Sequence, residues 1–334
     1  MVIGGGPAGA AAAIICTQQG LQVTLVERAS FPRQHPGETL HPGIEPLLQK
    51  LGVMEPILAI GFLRHLGNWV HWEDGLQFVP FGQDEQGPWR GFQAWRADFD
   101  TILLDQAKAL GVEVLQPCRA SQLMVDQGRV LGVVTSKGAL PASFVIDGAG
   151  GQHWLANQLG LGIQPYAPPL TVHYGYAEGA CPERDHAPAI VADCKGWTWT
   201  ARIRPQLYQW TRLTFMEGQL AKGWMPPEFE GLTPKRSIGK ADVTWRRVTE
   251  PAGLGYFIVG DAFSVLDPAS SHGVLKAVMS GMLAGHLAAQ ITRNRSLEQQ
   301  AIQHYCQWSH HGFEHDLEKL KSLYTALPYP PNWI

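Results

Sequence analysis

An α/β fold is the expectation, and two observations carry it. The chain opens on a strand, a glycine turn, a helix and a second strand, "MVIGGGPAGAAAAIICTQQGLQVTLVER". Further along, two separated segments, 66–93 and 166–239, hold short runs of alternating polarity bounded by Gly and Pro, which read as antiparallel strands. At 334 residues the chain can bury the core of one large or two modest domains. Apolar residues make up 45% and charged residues 16%, which excludes a disordered chain. A formal net charge of −3 gives no basic footprint for nucleic acid. The five cysteines (Cys16, Cys118, Cys181, Cys194, Cys306) are odd in number and show neither a CxxC pair nor zinc spacing. Reduced thiols, a cytoplasmic location and no bound metal are therefore expected. No apolar run reaches the roughly 20 residues of a membrane span, so no transmembrane segment is expected. The Ala-rich "AGAAAAIIC" lacks the basic flank of a signal peptide.

The opening unit reads as a dinucleotide site. Gly4, Gly6 and Gly9 form G-x-G-x-x-G, an Ala-rich helix follows, and residues 21–26 alternate as a strand closed by Glu27 and Arg28. Glycines allow the tight turn and a close backbone approach, the helix N-terminus faces a pyrophosphate, and the acid meets a ribose hydroxyl. Only Met1, Val2 and Ile3 precede the turn, so residues upstream of Met1 are expected to be missing.

Near the other end, "GDAFSVLDPASSHGVLKAVMSGMLAG" places a polar stretch at the mouth of a helix of small residues. The first N–H groups of a helix lack internal partners and its dipole is positive there, so an electron-rich group suits that position. A capped helix that merely packs its small face on a sheet is the competing reading.

Four ordered motifs resemble the hydroxylase-like flavoproteins that bind FAD. "ASFPRQHPGETLHPG" is similar to their FAD-contacting loop, with Arg33, then Gly37, Glu38 and Thr39, then Pro42 and Gly43. "WRADFDTILLDQAKALGVEVL" is similar to their R-x-x-F/L-D helix and following strand, and "FVIDGAGGQHWLANQLG" to the strand and turn that close the domain. Gly260, Asp261 and Ala262 with Asp267 and Pro268 resemble the G-D-A…D-P motif. The resemblance implies a Rossmann-like FAD-binding domain interleaved with an antiparallel β-sheet substrate domain. It further implies that Arg96 reaches the cofactor, that Asp261 accepts a ribityl hydroxyl, and that residues 270–274 hold the isoalloxazine. Backbone N–H groups at Gly273 and Val274 would stabilise the anionic reduced ring. Small residues let the helix pack close to the sheet.

Residues 1–65, 94–165 and 240–300 are assigned to the FAD-binding domain, 66–93 and 166–239 to the substrate domain, and 301–334 to a C-terminal helical tail. The strand-like runs are "GNWVHWEDGLQFVPF", with a hairpin turn at Asp74-Gly75, and "LTVHYGYAEG", "GWTWTARIRP" and "YQWTRLTFMEG".

Within these flavoproteins the chain looks most like the branch of flavin-dependent halogenases and related monooxygenases, on "HPGETLHPG", the Trp197-x-Trp199 pair and "LDPASSHGV". Halogenases place a lysine in a G-F-x-x-K-x-G-like stretch, where "GFLRHLG" has His65. Their W-x-W-x-I-P signature is half present, since "WTWTAR" continues with Ala201 and Arg202, and Ser270 stands where tryptophan halogenases carry a Glu. The expectation is accordingly an FAD-dependent monooxygenase acting through a flavin C4a-hydroperoxide on an aromatic or other electron-rich substrate. The alternatives are a halogenase, a geranylgeranyl-reductase-like enzyme, or a maturation flavoprotein modifying peptidyl tryptophan. Trp69, Trp72, Trp197, Trp199 and Trp210 are expected to wall a dry substrate site. His65, His71, His173 and His272 are candidate acids or bases because imidazole titrates near neutrality, His65 and His272 first among them. Electrons come from NAD(P)H or an external flavin reductase, and the substrate is a small aromatic molecule or one carried on a peptide or carrier.

Overall fold

The computed structural model describes all residues except 73–74, 216–219 and 236. A parallel sheet runs Glu113–Leu115, Thr24–Val26, Val2–Ile3, Val145–Asp147, Tyr256–Ile258, with Ala252–Gly253 antiparallel at one edge. This is the order that a βαβ start and its right-handed crossovers generate. The glycine turn is sterically obligatory. Gly4 has φ +93°, and a Cβ there would lie 2.4 Å from the Gly148 carbonyl oxygen. A Cβ on Gly9 would lie 1.9 Å from the carbonyl oxygen of Gly4. The helix Pro7–Gln18 can therefore start only where both positions lack side chains.

The helix Gly273–Arg293 packs its small face against the helix Pro7–Gln18, which corrects the expectation of direct packing on the sheet. A Cβ on Gly281 would lie 2.1 Å from the Ala8 carbonyl oxygen, and one on Gly285 2.8 Å from that of Ala12. Small faces on both helices allow this separation, and Ala10 to Ala13 are buried beneath it. By length and composition this helix passes as a membrane span, but most of it is buried inside the protein.

The second sheet runs Thr233–Pro234, Thr171–Glu178, Leu207–Thr214, Gly196–Arg204, Ala189–Asp193, Gly67–His71, Gln77–Pro80, with Gly239–Asp242 also on Thr171–Glu178. All four expected runs lie in it. Its pairings are antiparallel except that Ala189–Asp193 runs parallel to Gly67–His71, which joins the two segments. Of the expected Asp74-Gly75 turn, Asp74 lies outside the described residues, while the flanking strands pair in register, Val70 opposite Gln77. The tail is a 28-residue helix, Glu298–Thr325. It ties the two sheets together: Tyr305 Oη donates to the Ile258 carbonyl (2.8 Å), and Trp197 Nε1 donates to Tyr324 Oη (2.8 Å).

Candidate active site

A cavity of about 1450 Å³ lies between the parallel sheet, the mouth of the helix Gly273–Arg293 and the inner face of the second sheet. Gly4 and Gly6 form one end, where a Cβ on Gly6 would face the cavity with only the Arg33 guanidinium near it, at 3.1 Å. Glu27 and Arg28 line that end. The Glu27 carboxylate accepts from the Gly5 N–H (2.7 Å) and the Ala29 N–H (2.8 Å), which fixes its direction.

The loop after the second strand is fastened from below. Arg96 is buried, makes a two-pronged ion pair with Asp100 (2.8 and 3.1 Å) and donates to the Pro36 carbonyl (3.0 Å). Arg33 lies 3.5 Å from the same carboxylate. Glu38 is buried and accepts from Tyr176 Oη (2.7 Å), while Thr39 Oγ1 donates to Gln93 (2.9 Å). Burial raises the Glu38 carboxyl above its ordinary range, opposed by Tyr176 and then Arg96.

At the other end Gly260 has φ +58° and its N–H donates to Ser280 Oγ (2.9 Å), which turns Asp261 into the cavity. Enclosure raises the Asp261 carboxyl, opposed by Arg96 and Arg246. Asp267 accepts from Trp245 Nε1 (2.7 Å), Tyr324 Oη (2.7 Å) and the Ala269 N–H (3.0 Å). With those donors it anchors the turn, although burial still pushes its carboxyl up to about 6. Gly273 and Val274 follow as the first two helical residues, at positions whose N–H groups have no partner within the helix. A Cβ on Gly273 would meet nothing within 4 Å, so this mouth is open to the cavity.

The glycine cradle, the exposed helix turn and the Asp261 carboxylate fit FAD at opposite ends of one cavity. The volume exceeds the roughly 300–1,000 Å³ of ordinary ligand pockets, leaving room for a second molecule.

Of the histidines, His272 precedes the first helical residue, lines the cavity and sits 4.9 Å ring-to-ring from His41. Burial, then His41, pulls it down to about 4, so it is neutral at pH 7. His65 does not line the cavity. It is 1% exposed, with Nδ1 3.0 Å from the Gly67 carbonyl and Nε2 3.2 Å from the Gln93 amide. Its strand, Leu63–His65, pairs with Gly91–Gln93, and that register turns the ring into the protein. His71 is also off the cavity, and His173 faces the opposite side of its sheet. Among the expected tryptophans only Trp199 lines the cavity; Trp154 and Trp308 join it from elsewhere.

Sequence reasoning missed Lys276. It is the only lysine lining the cavity among the described residues, one turn into the helix Gly273–Arg293. Its ammonium is ion-paired with Asp316 of the last helix and donates to the Gly312 carbonyl (3.3 Å). Burial, then Lys319, pulls the amine down to about 8, while the Asp316 carboxylate against it favours the charged form. It is an ammonium at neutral pH. The available signal was its place: a cation in a helix's first turn opposes the macrodipole and needs compensation.

Residues 1–170 match the FAD-binding-domain family model, and residues 89–326 match the tryptophan halogenase model. The chain belongs to the tryptophan halogenase family. Among this family member's relatives, the tryptophan 2-halogenase of Chondromyces crocatus is 32% identical over 85% of this chain and 59% of its own length. The 1H-pyrrole-2-carbonyl-[peptidyl-carrier protein] chlorinase of Pseudomonas fluorescens is 25% identical over 100% of this chain and 86% of its own. Among solved structures, the flavin-dependent halogenase CmlS superposes with a TM-score of 0.87 at 22% identity, over 99% of this chain and 66% of that one. The brominase Bmp2 gives 0.85 at 23% identity, over 97% and 86%. The chain thus spans about three-fifths of the Chondromyces relative, and its likeness to the solved structures is one of fold.

Proposed function

We propose that the chain halogenates an electron-rich aromatic substrate, free or carrier-bound, with FAD reduced by a separate reductase. From sequence alone halogenation stands behind oxygenation, because His65 replaces the expected lysine, Ala201 and Arg202 break the W-x-W-x-I-P signature, and Ser270 stands where a Glu is expected. The relatives favour the reverse order, since they include a tryptophan 2-halogenase and a chlorinase of a carrier-bound pyrrole. The observation that carries the reading is Lys276, which supplies an amine to the cavity from a different element.

Reduced FAD, when bound, would supply two electrons that bring O₂ to the peroxide level, and oxygen at that level takes two more from a halide to give hypohalous acid and water. The chain's own groups do the rest. Gly273 and Val274 present backbone N–H groups to the electron-rich edge of the ring. The Lys276 ammonium, positive at an already positive helix end, attracts halide and donates a hydrogen bond to the oxygen of hypohalous acid. That donation makes the halogen more electrophilic; Ar–H and HOX become Ar–X and water. Asp316 orients the amine. Tyr174 and Trp199, from the inner face of the second sheet, form the apolar wall for the aromatic ring.

A second reading, oxygenation of the same substrate class, is favoured by the burial of His65 at the position where halogenases carry lysine. FAD-loaded protein with a flavin reductase, NADH, oxygen and bromide or chloride is offered indole and phenol, and products are read by mass. Halide-dependent products support halogenation. Products that carry oxygen from ¹⁸O₂, with no response to halide, support the second reading.

A further inference from the structure

The second sheet has an outer face as well, and the alternation of its strands separates the two. Val172, Tyr174, Gln209, Thr211 and Ala241 point into the flavin cavity. Their neighbours His173, Gly175, Trp210 and Lys240 line a separate, partly open cavity of about 400 Å³, which residues 220–225, Pro234, Ser237 and Ile238 also line. That volume suits a small ligand. Its floor is built for an aromatic ring. A Cβ on Gly175 would lie 2.7 Å from the Trp210 ring, so the glycine lets that indole lie over the strand, and Trp224 meets it edge-on at 5.0 Å. Two lysines, Lys222 and Lys240, also line it, and no carboxylate does among the described residues.

His173 is the unexplained group. It is 5% exposed, it lines this cavity, and neither ring nitrogen has a hydrogen-bond partner among the described residues. Burial, then Lys240, holds it neutral, so it presents one donor and one acceptor. Orphaned buried polar atoms are unfavourable and are normally matched by a ligand or water.

We propose that this outer cavity binds a small planar aromatic carboxylate, with its ring against Trp224, which rests on the buried Trp210, and its carboxylate among Lys222, Lys240 and the His173 N–H. The site is independent of the halogenation reading. It is tested on FAD-loaded protein with 2-naphthoate as the probe, by titration calorimetry, with flavin absorbance reporting the inner cavity separately. Binding that leaves the flavin spectrum unchanged is expected. Affinity should fall by about tenfold or more in His173→Leu, and likewise in a Lys222→Gln/Lys240→Gln double variant, because each loses hydrogen bonds to a charged acceptor. The lysine pair guards against a folding defect in His173→Leu, and Trp199→Ala, on the inner face, should bind normally. No heat, heat abolished by Trp199→Ala, or affinity untouched by the outer-face variants would overturn the proposal.

Discussion

Lys276 stands where a helix disfavours a cation, and Asp316 offsets that by reaching over from the last helix. Sequence pattern could have flagged the lysine but not its partner, because the pairing spans two helices that meet only in the folded chain. The glycine fingerprint and the Arg33, Glu38 and Arg96 motifs were legible because each has a local steric or charge requirement. What fastens them was not: the Tyr176–Glu38 bond joins residues 138 positions apart. Tyr176→Phe removes that donor from a buried carboxyl and should destabilise the protein by about 1–3 kcal/mol in denaturant unfolding. An unchanged midpoint would mean that Glu38 does not depend on it. His65 gives a pH test. Its folded value is pulled down to about 4 by burial, below the ordinary imidazole value, so the unfolded chain binds the extra proton. Stability from this group is intact above about pH 6.5 and declines as pH falls toward 4. His65→Gln should flatten the loss of stability over that window, and parallel curves for variant and native protein would contradict it.

At the scale of elements, Gly273–Arg293 was read correctly as a helix, its first turn lines the cavity, and its packing partner was read wrongly. Composition shows that a face is small but not what lies against it. The strand runs were legible from alternation. Ala189–Asp193 went unread because "AIVA" is a continuous apolar stretch with no period-two signal. Two substitutions separate this helix's roles. Gly281→Leu pushes a side chain into the Ala8 backbone and should lower the melting temperature and FAD occupancy together; retention of both would show that the helices can part freely. Val274→Pro removes one first-turn N–H where proline is tolerated. Losing a donor to anionic flavin, about 1.5–3 kcal/mol, should lower the two-electron potential by roughly 30–60 mV. Oxidised FAD should bind nearly as before, and an unchanged potential would place the ring elsewhere.

At the scale of the whole molecule, the two-sheet plan follows from the sequence because each sheet has its own periodicity: buried parallel strands between helices, alternating strands elsewhere. The cavity between them was less legible. Its apolar wall was assigned to five tryptophans, of which Trp199 alone reaches it, because alternation identifies residues that share a face but not which face meets the cofactor. The reacting group was sought at His65, where the motif pointed, and the fold offers Lys276 instead. We propose that the amine of Lys276, one turn into the helix Gly273–Arg293, takes the place of the lysine that the motif led one to expect at His65. It is tested most directly by comparing bromide incorporation into indole by native and Lys276→Met protein, both FAD-loaded and supplied with reductase, NADH and oxygen. Bromination should fall by roughly ten- to a hundredfold, the loss of one charged hydrogen bond, while reduced flavin is reoxidised at the native rate. Undiminished bromination by Lys276→Met would contradict it.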